Sequence, residues 1–236
     1  MACLKRSSRD AWWDLWQSHI NKLKIAMMAN RLEADCLKLL NDCFDAYKKY
    51  LHETSKDEAL GVISGAGCTP IEIAFMWMGR WRPTSGIVLV YSAMGLDPLV
   101  AAKGCIKNAV QHSSFGHTLN EQQLSGLNAL QAHAFRAESN ISKQLAVIQM
   151  LLVEQNAVSM LHLEEPMSDK KKDLSDFQKL IDARLLELQS LLRMADDLRL
   201  HTLRELLDLL VPAQGAFCLV RAFEIVFSLR SLTTFT

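Results

Sequence analysis

Residues 127–152, LNALQAHAFRAESNISKQLAVIQMLL, carry Leu127, Leu130, Ala134, Ala137, Ile141, Leu145, Ile148 and Leu152 at steps of three and four. That spacing returns each apolar side chain to one face of a 3.6-residue helix, and it predicts a long amphipathic helix of coiled-coil character. After a polar stretch with Glu164-Glu165-Pro166 and Lys170-Lys171-Lys172, the positions Leu174, Phe177, Ile181, Leu185, Leu188, Leu192 and Ala195 repeat the stepping. Two such helices joined by a polar connection most simply form an antiparallel hairpin. The connection, about 156–173, has the fewest apolar anchors and is the expected site of first proteolytic cleavage.

Toward the N-terminus, Trp13, Trp16, Ile20, Leu23 and Met27 share a stripe over Asp10 to Met28, with Trp12 beside it. Leu32, Leu39, Cys43, Ala46 and Tyr50 predict a second helix over about Leu32 to Leu51. Thr69-Pro70 with Glu72 reads as a helix start: a capping hydroxyl, Pro in the first helical position and an acid in the first turn. Residues 61–110 hold six charges, Glu72, Arg80, Arg82, Asp97, Lys103 and Lys107, and are expected to be the most buried part. The C-terminal part, Leu198 to Leu229, is helical with a break at Pro212.

Ten glycines and five prolines in 236 residues are about half the usual number. Tight turns are therefore few, and the expected fold is all-α: a multi-helix bundle of about seven to ten helices, forming a single domain over 10–230 with tails at 1–9 and 231–236. Twenty-six basic residues balance 26 acidic ones, which excludes strong sequence-independent attraction to nucleic acid. The longest uncharged stretch, Pro83 to Leu96, is too short to cross a bilayer, so no membrane span is expected. The N-terminus lacks the apolar run and cleavage site of a secretory signal, and the cysteines at 3, 36, 43, 68, 105 and 218 form no Cys-x-x-Cys pair. An intracellular protein, nuclear or cytoplasmic, with free thiols follows.

Catalytic chemistry is not written in the residues. The histidines at 19, 52, 112, 117, 133, 162 and 201 make no i, i+4 pair, so surface positions are the simpler reading than a metal or haem site. The glycines at 61, 65 and 67 lack the Lys-Ser/Thr of a phosphate cradle. Asp196 and Asp197 sit among Arg193, Arg199, Arg204, Glu205 and Asp208; Arg193 and Asp197, like Arg204 and Asp208, have the spacing of solvated ion pairs, which is the expectation for the group. No enzyme and no metal site are expected.

Two features stand out: the tryptophans at 12, 13 and 16, and the run from Phe75 to Thr84, FMWMGRWRPT. With Trp16 at the centre of the first stripe, Trp12 and Trp13 fall roughly 40 and 60 degrees to either side and Asp14 almost opposite. Trp12, Trp13 and Asp14 are the candidate partner-binding residues, since rim aromatics beside acids make interface anchors. Phe75, Trp77, Gly79, Trp81, Arg82 and Pro83 are read as structural, with Trp77 and Trp81 sharing one helical face and Trp77 buried.

The order of DAWWDLW, the helix start at Thr69-Pro70, the block IAFMWMGRWRPTSGIVLVYSAMGL and the later ADDLRLHTLRELLDLLVPAQGAFCLV resembles the Delay of Germination domain of plants, over about Asp10 to Leu229. Phe75, Trp77, Gly79, Trp81, Arg82 and Pro83 match that family's motif, while Arg80 and Thr84 depart from it. The resemblance implies a non-catalytic regulatory interaction module, standing alone because no basic zipper precedes it, of the kind found in seed-dormancy regulators that bind type 2C protein phosphatases in abscisic acid signalling. Pollen-aperture and defence-related branches belong to the same family. It also leaves open a small-molecule sensor holding haem or a lipid-like ligand among Ile71 to Met94, with no ligand residues identified, and a homodimer.

Overall fold

The computed structural model describes residues 8–29, 33–57, 59–96, 118–161 and 170–231. Among them eight helices are present: α1 (Ser8–Met28), α2 (Glu33–Asp57), α3 (Ala59–Ile63), α4 (Pro70–Ala74), α5 (Pro83–Ala93), α6 (Glu121–Leu161), α7 (Lys170–Leu209) and α8 (Pro212–Ser231). The described residues contain no sheet, only an isolated antiparallel bridge between Trp77 and Arg80. The fold is an all-α bundle.

The hairpin is α6 against α7. Gln123 Nε2 donates to the Leu209 carbonyl at 3.0 Å, the His133 and His201 rings lie 5.5 Å apart, and Ile141 and Ile148 cluster with Leu191, Ala195 and Leu198. Partner numbers fall as α6 numbers rise, so the two helices run antiparallel. The expected connection narrows to 162–169, which lie outside the described residues. Leu127, Leu130, Ala134, Ile141 and Ile148 are all buried, as the stepping requires.

Local signals set the other boundaries. Thr69 and Glu72 form a full capping box at α4, with the Thr69 amide donating to Glu72 Oε2 at 2.7 Å and the Glu72 amide donating to Thr69 Oγ1 at 3.3 Å. Pro212 opens α8. α2 extends six residues past the expected end, and its buried face is Cys36, Leu40, Cys43, Phe44, Tyr47 and Leu51. That face is rotated by roughly one residue step from the stripe expected from sequence, because the bulkier Phe44, Tyr47 and Leu51 take the inner side.

α8 is long and apolar enough to cross a membrane by length and composition, but its inner face is core. Ala216, Val220 and Phe223 pack with Ile20, Leu23, Leu40 and Cys43 of α1 and α2, while Phe217 and Cys218 pack with α5 and α6. The scarcity of charge in 61–110 does not produce uniform burial: Ile73 is 46% exposed and Phe75 67% exposed. Residues 97–117, including His112 and His117, lie outside the described residues.

Candidate protein-interaction site

The tryptophan cluster and the Phe75–Thr84 run, 60 residues apart in sequence, meet through two tyrosines of α2. Trp12 stacks on Trp16 at 5.1 Å and on Tyr50 at 4.3 Å. Tyr47 lies against Trp12 and Trp16 on one side and Trp81 on the other, and its hydroxyl accepts from Trp81 Nε1 at 2.7 Å. The Arg80 guanidinium sits 5.0 Å over the Tyr50 ring. Burial pushes the Tyr47 phenol up to about 12, so it stays neutral and serves as an acceptor for the indole. Trp13 turns the other way, toward Phe223 of α8, and Arg230 stacks over its ring at 5.1 Å. Arg230 also pairs with Glu72 of α4 at 3.7 Å.

Trp12, Trp13 and Trp16 are thus all half-buried and engaged with their own chain. Trp16 is not the centre of the core; Ile20 and Leu23, both fully buried, occupy it. Asp14 lies on the opposite side, exposed, in a shallow open hollow lined by Gln17, Ser18, Asn21, Lys22 and Ile25 on the outer face of α1.

The motif residues do not continue a helix. α4 ends at Ala74, and Trp77 and Arg80 exchange backbone hydrogen bonds of 2.7 and 3.2 Å around Met78 (φ 50°) and Gly79 (φ 70°). Two successive positive φ values are those of a type I′ turn, so Trp77 and Trp81 are not on one helical face. The glycine is required twice over: a Cβ on Gly79 would come within 2.0 Å of the Val62 carbonyl oxygen. Trp77 is half-buried rather than fully buried, held by an indole hydrogen bond to Ser142 Oγ at 3.0 Å and lying between Arg82 and Arg199 at 5.8 and 5.3 Å.

Charged residues from the hairpin fix this turn. Arg199, completely buried, donates from Nε to the Trp81 carbonyl at 2.8 Å, from Nη2 to the carbonyls of Trp77 and Met78, and from Nη1 to Asp196 Oδ1 at 2.7 Å. Asp196 also pairs with the buried Arg80 at 3.3 Å. The expectation of solvated ion pairs therefore holds for Arg204 with Asp208, at 4.0 Å on the surface, and fails for Asp196 and Arg199. Glu138 of α6, 3% exposed, caps α5 in place of a side chain from Arg82: it accepts from the Thr84 amide at 2.7 Å and the Thr84 hydroxyl at 3.0 Å, and pairs with Arg82 at 3.3 Å. Phe75 points outward and Pro83 is buried as the first residue of α5. Among the described residues no group of three or more His, Cys, Asp or Glu side chains is arranged to hold a metal ion.

A family model described as DOG1, seed dormancy control, matches residues 19–92. The chain is 27% identical over 226 residues to the TGACG-sequence-specific DNA-binding protein TGA-2.1 of Nicotiana tabacum, covering 94% of this chain and 44% of that protein. It is 27% identical over 237 residues to Protein DOG1-like 2 of Arabidopsis thaliana, covering 96% and 89%, and 28% identical over 228 residues to transcription factor HBP-1b(c1) of Triticum aestivum, covering 94% and 43%. The chain thus spans less than half the length of the tobacco and wheat relatives and most of the length of the Arabidopsis one. The family model runs from within α1 to α5 and the similarity to these relatives continues through the hairpin and α8, so the chain is similar over most of its length to DOG1 seed-dormancy-control proteins and to the corresponding part of the TGA-type transcription factors.

Proposed function

We propose that this domain acts as a protein-interaction module of plant signalling, inside the cell in nucleus or cytoplasm, and that its partner surface is the outer face of α1. The observation that carries this reading is the division of labour on that helix. Trp12 and Trp13 hold it against α2 and α8, while Asp14, Gln17, Ser18, Asn21, Lys22 and Ile25 line an exposed hollow on its other side. A polar rim with an apolar side chain at its edge, presented without further ordering, keeps the entropic cost of association low. The half-buried edges of Trp12 and Trp13 extend the surface at either side. The family's dormancy branch supports a type 2C protein phosphatase as the partner.

The test is a pull-down with a type 2C phosphatase beside a thermal melt. Asp14→Lys should abolish capture and leave the helical content and the cooperative unfolding transition in place, since the side chain is exposed and outside the core. Equal capture by parent and variant would remove α1 as the contact. Trp13→Ala is the wrong probe, because the contacts with Phe223 and Arg230 make it a stability variant.

A further inference from the structure

His133 and His201 are 68 residues apart in sequence and come from different long helices, yet their rings meet edge to face with centres 5.5 Å apart and an interplanar angle of 76°. Both lie at the solvent-facing seam of the α6–α7 hairpin. A tetrahedral metal held about 2.1 Å from each ligating nitrogen sets two imidazole centres about 5 Å apart, so the observed separation matches a shared ion once the exposed rings turn to bring an in-plane nitrogen of each toward it. Glu205, one helical turn beyond His201, places a carboxylate oxygen 4.0 Å from His201 Nδ1. That anion favours a nearby dication and can take the Nδ1 proton as a hydrogen bond once the ring is fixed, the arrangement that orients histidine ligands in metal sites.

We infer that His133 and His201 form an open two-histidine site for a divalent transition metal, with Zn2+ as the probe ion, bridging α6 to α7. Water completes the coordination sphere, since no third protein ligand is in place among the described residues. The site is consequently weaker than a closed structural zinc site, and its effect is to clip together two helices that pack Ile141 and Ile148 against Leu191, Ala195 and Leu198.

Zn2+ alone, titrated calorimetrically into the full chain, should show a saturable equivalent and raise the melting temperature. His133→Ala and His201→Ala should each remove that equivalent and the thermal shift, and the double variant should behave like either single one, because both act on one ion. His52→Ala, an exposed histidine on α2, should leave both unchanged. Retention of the Zn2+ equivalent in either single variant, separate partial losses that add in the double variant, or a thermal shift lost in His52→Ala would overturn the assignment.

Discussion

Arg199 donates from Nε to the backbone carbonyl of Trp81 at 2.8 Å, across 118 positions of sequence. One guanidinium thereby holds three carbonyls of the motif turn and Asp196 at once. Burial lowers the Arg199 pKa, with the Asp196 carboxylate opposing that shift, and its donor fork is matched by acceptors that keep it charged. Arg199→Met leaves those carbonyls unsatisfied in the interior and should cost about 3–5 kcal/mol. Arg199→Lys restores only part of this, because an ammonium cannot span the same acceptors. Urea unfolding gives the answer; midpoints equal to the parent's would show that the turn stands without Arg199.

Gly79 and Gly61 separate backbone necessity from ordinary helix preference. At Gly79 both the positive φ and the Val62 carbonyl forbid a Cβ, whereas at Gly61, within α3, the nearest atom is 3.7 Å away. Gly79→Ala should therefore destabilise by roughly 2 kcal/mol or more, and Gly61→Ala should be neutral or stabilising by up to about 1 kcal/mol. Melting temperatures moving in the same direction for both would contradict the turn geometry.

Glu138 caps α5 from another helix, so its loss should be felt at α5 rather than in its own. Glu138→Ala strands the Thr84 amide and hydroxyl and frees Arg82, a change of about 1–3 kcal/mol. Hydrogen exchange locates it: faster exchange confined to the first turn of α5 is expected, and acceleration spread along α6 instead would assign Glu138 a different role.

Glu138, Asp196 and Arg199 mark the limit of what linear order carries. The hairpin was legible because Leu127 to Ile148 repeat a single spacing that only one helix face satisfies, and α4 was legible because Thr69 and Glu72 complete their box within four residues. Glu138, Asp196 and Arg199 were not. On their own helices they have the spacing and company of surface charges, and only the tertiary approach of the motif turn makes them interior. The buried face of α2 departs from the expected stripe for a related reason: several apolar positions fit two neighbouring stripes, and side-chain bulk at Phe44 and Tyr47 decides between them. The meeting of Trp12 with Trp81 through Tyr47 has no signal in linear order at all. At the candidate site, Asp14 opposite the apolar stripe followed from helical geometry, but the own-chain partners of Trp12 and Trp13 come from α2 and α8 and could not be read from α1.

Alkaline pH should unfold the domain through its buried phenols and thiols. Burial raises Tyr47 and Tyr91 from 10.0 to about 12, with Tyr91 donating its hydroxyl to Asn128 at 2.9 Å, and raises Cys43 and Cys218 from 9.0 to about 12. All four are essentially neutral in both states below about pH 8, one unit under the ordinary thiol value, and the native fold then has its full stability with respect to them. Between their ordinary values and about 12 the unfolded chain releases these protons and the folded chain does not, so stability falls as pH rises across that window. The fold should therefore be lost cooperatively before Tyr47 and Tyr91 ionise in place. Tyrosinate absorbance recorded together with the helical circular dichroism signal distinguishes the cases: the two phenols should appear only as helix disappears, and ionisation of every tyrosine near pH 10 with helix intact would show that Tyr47 and Tyr91 are accessible to water.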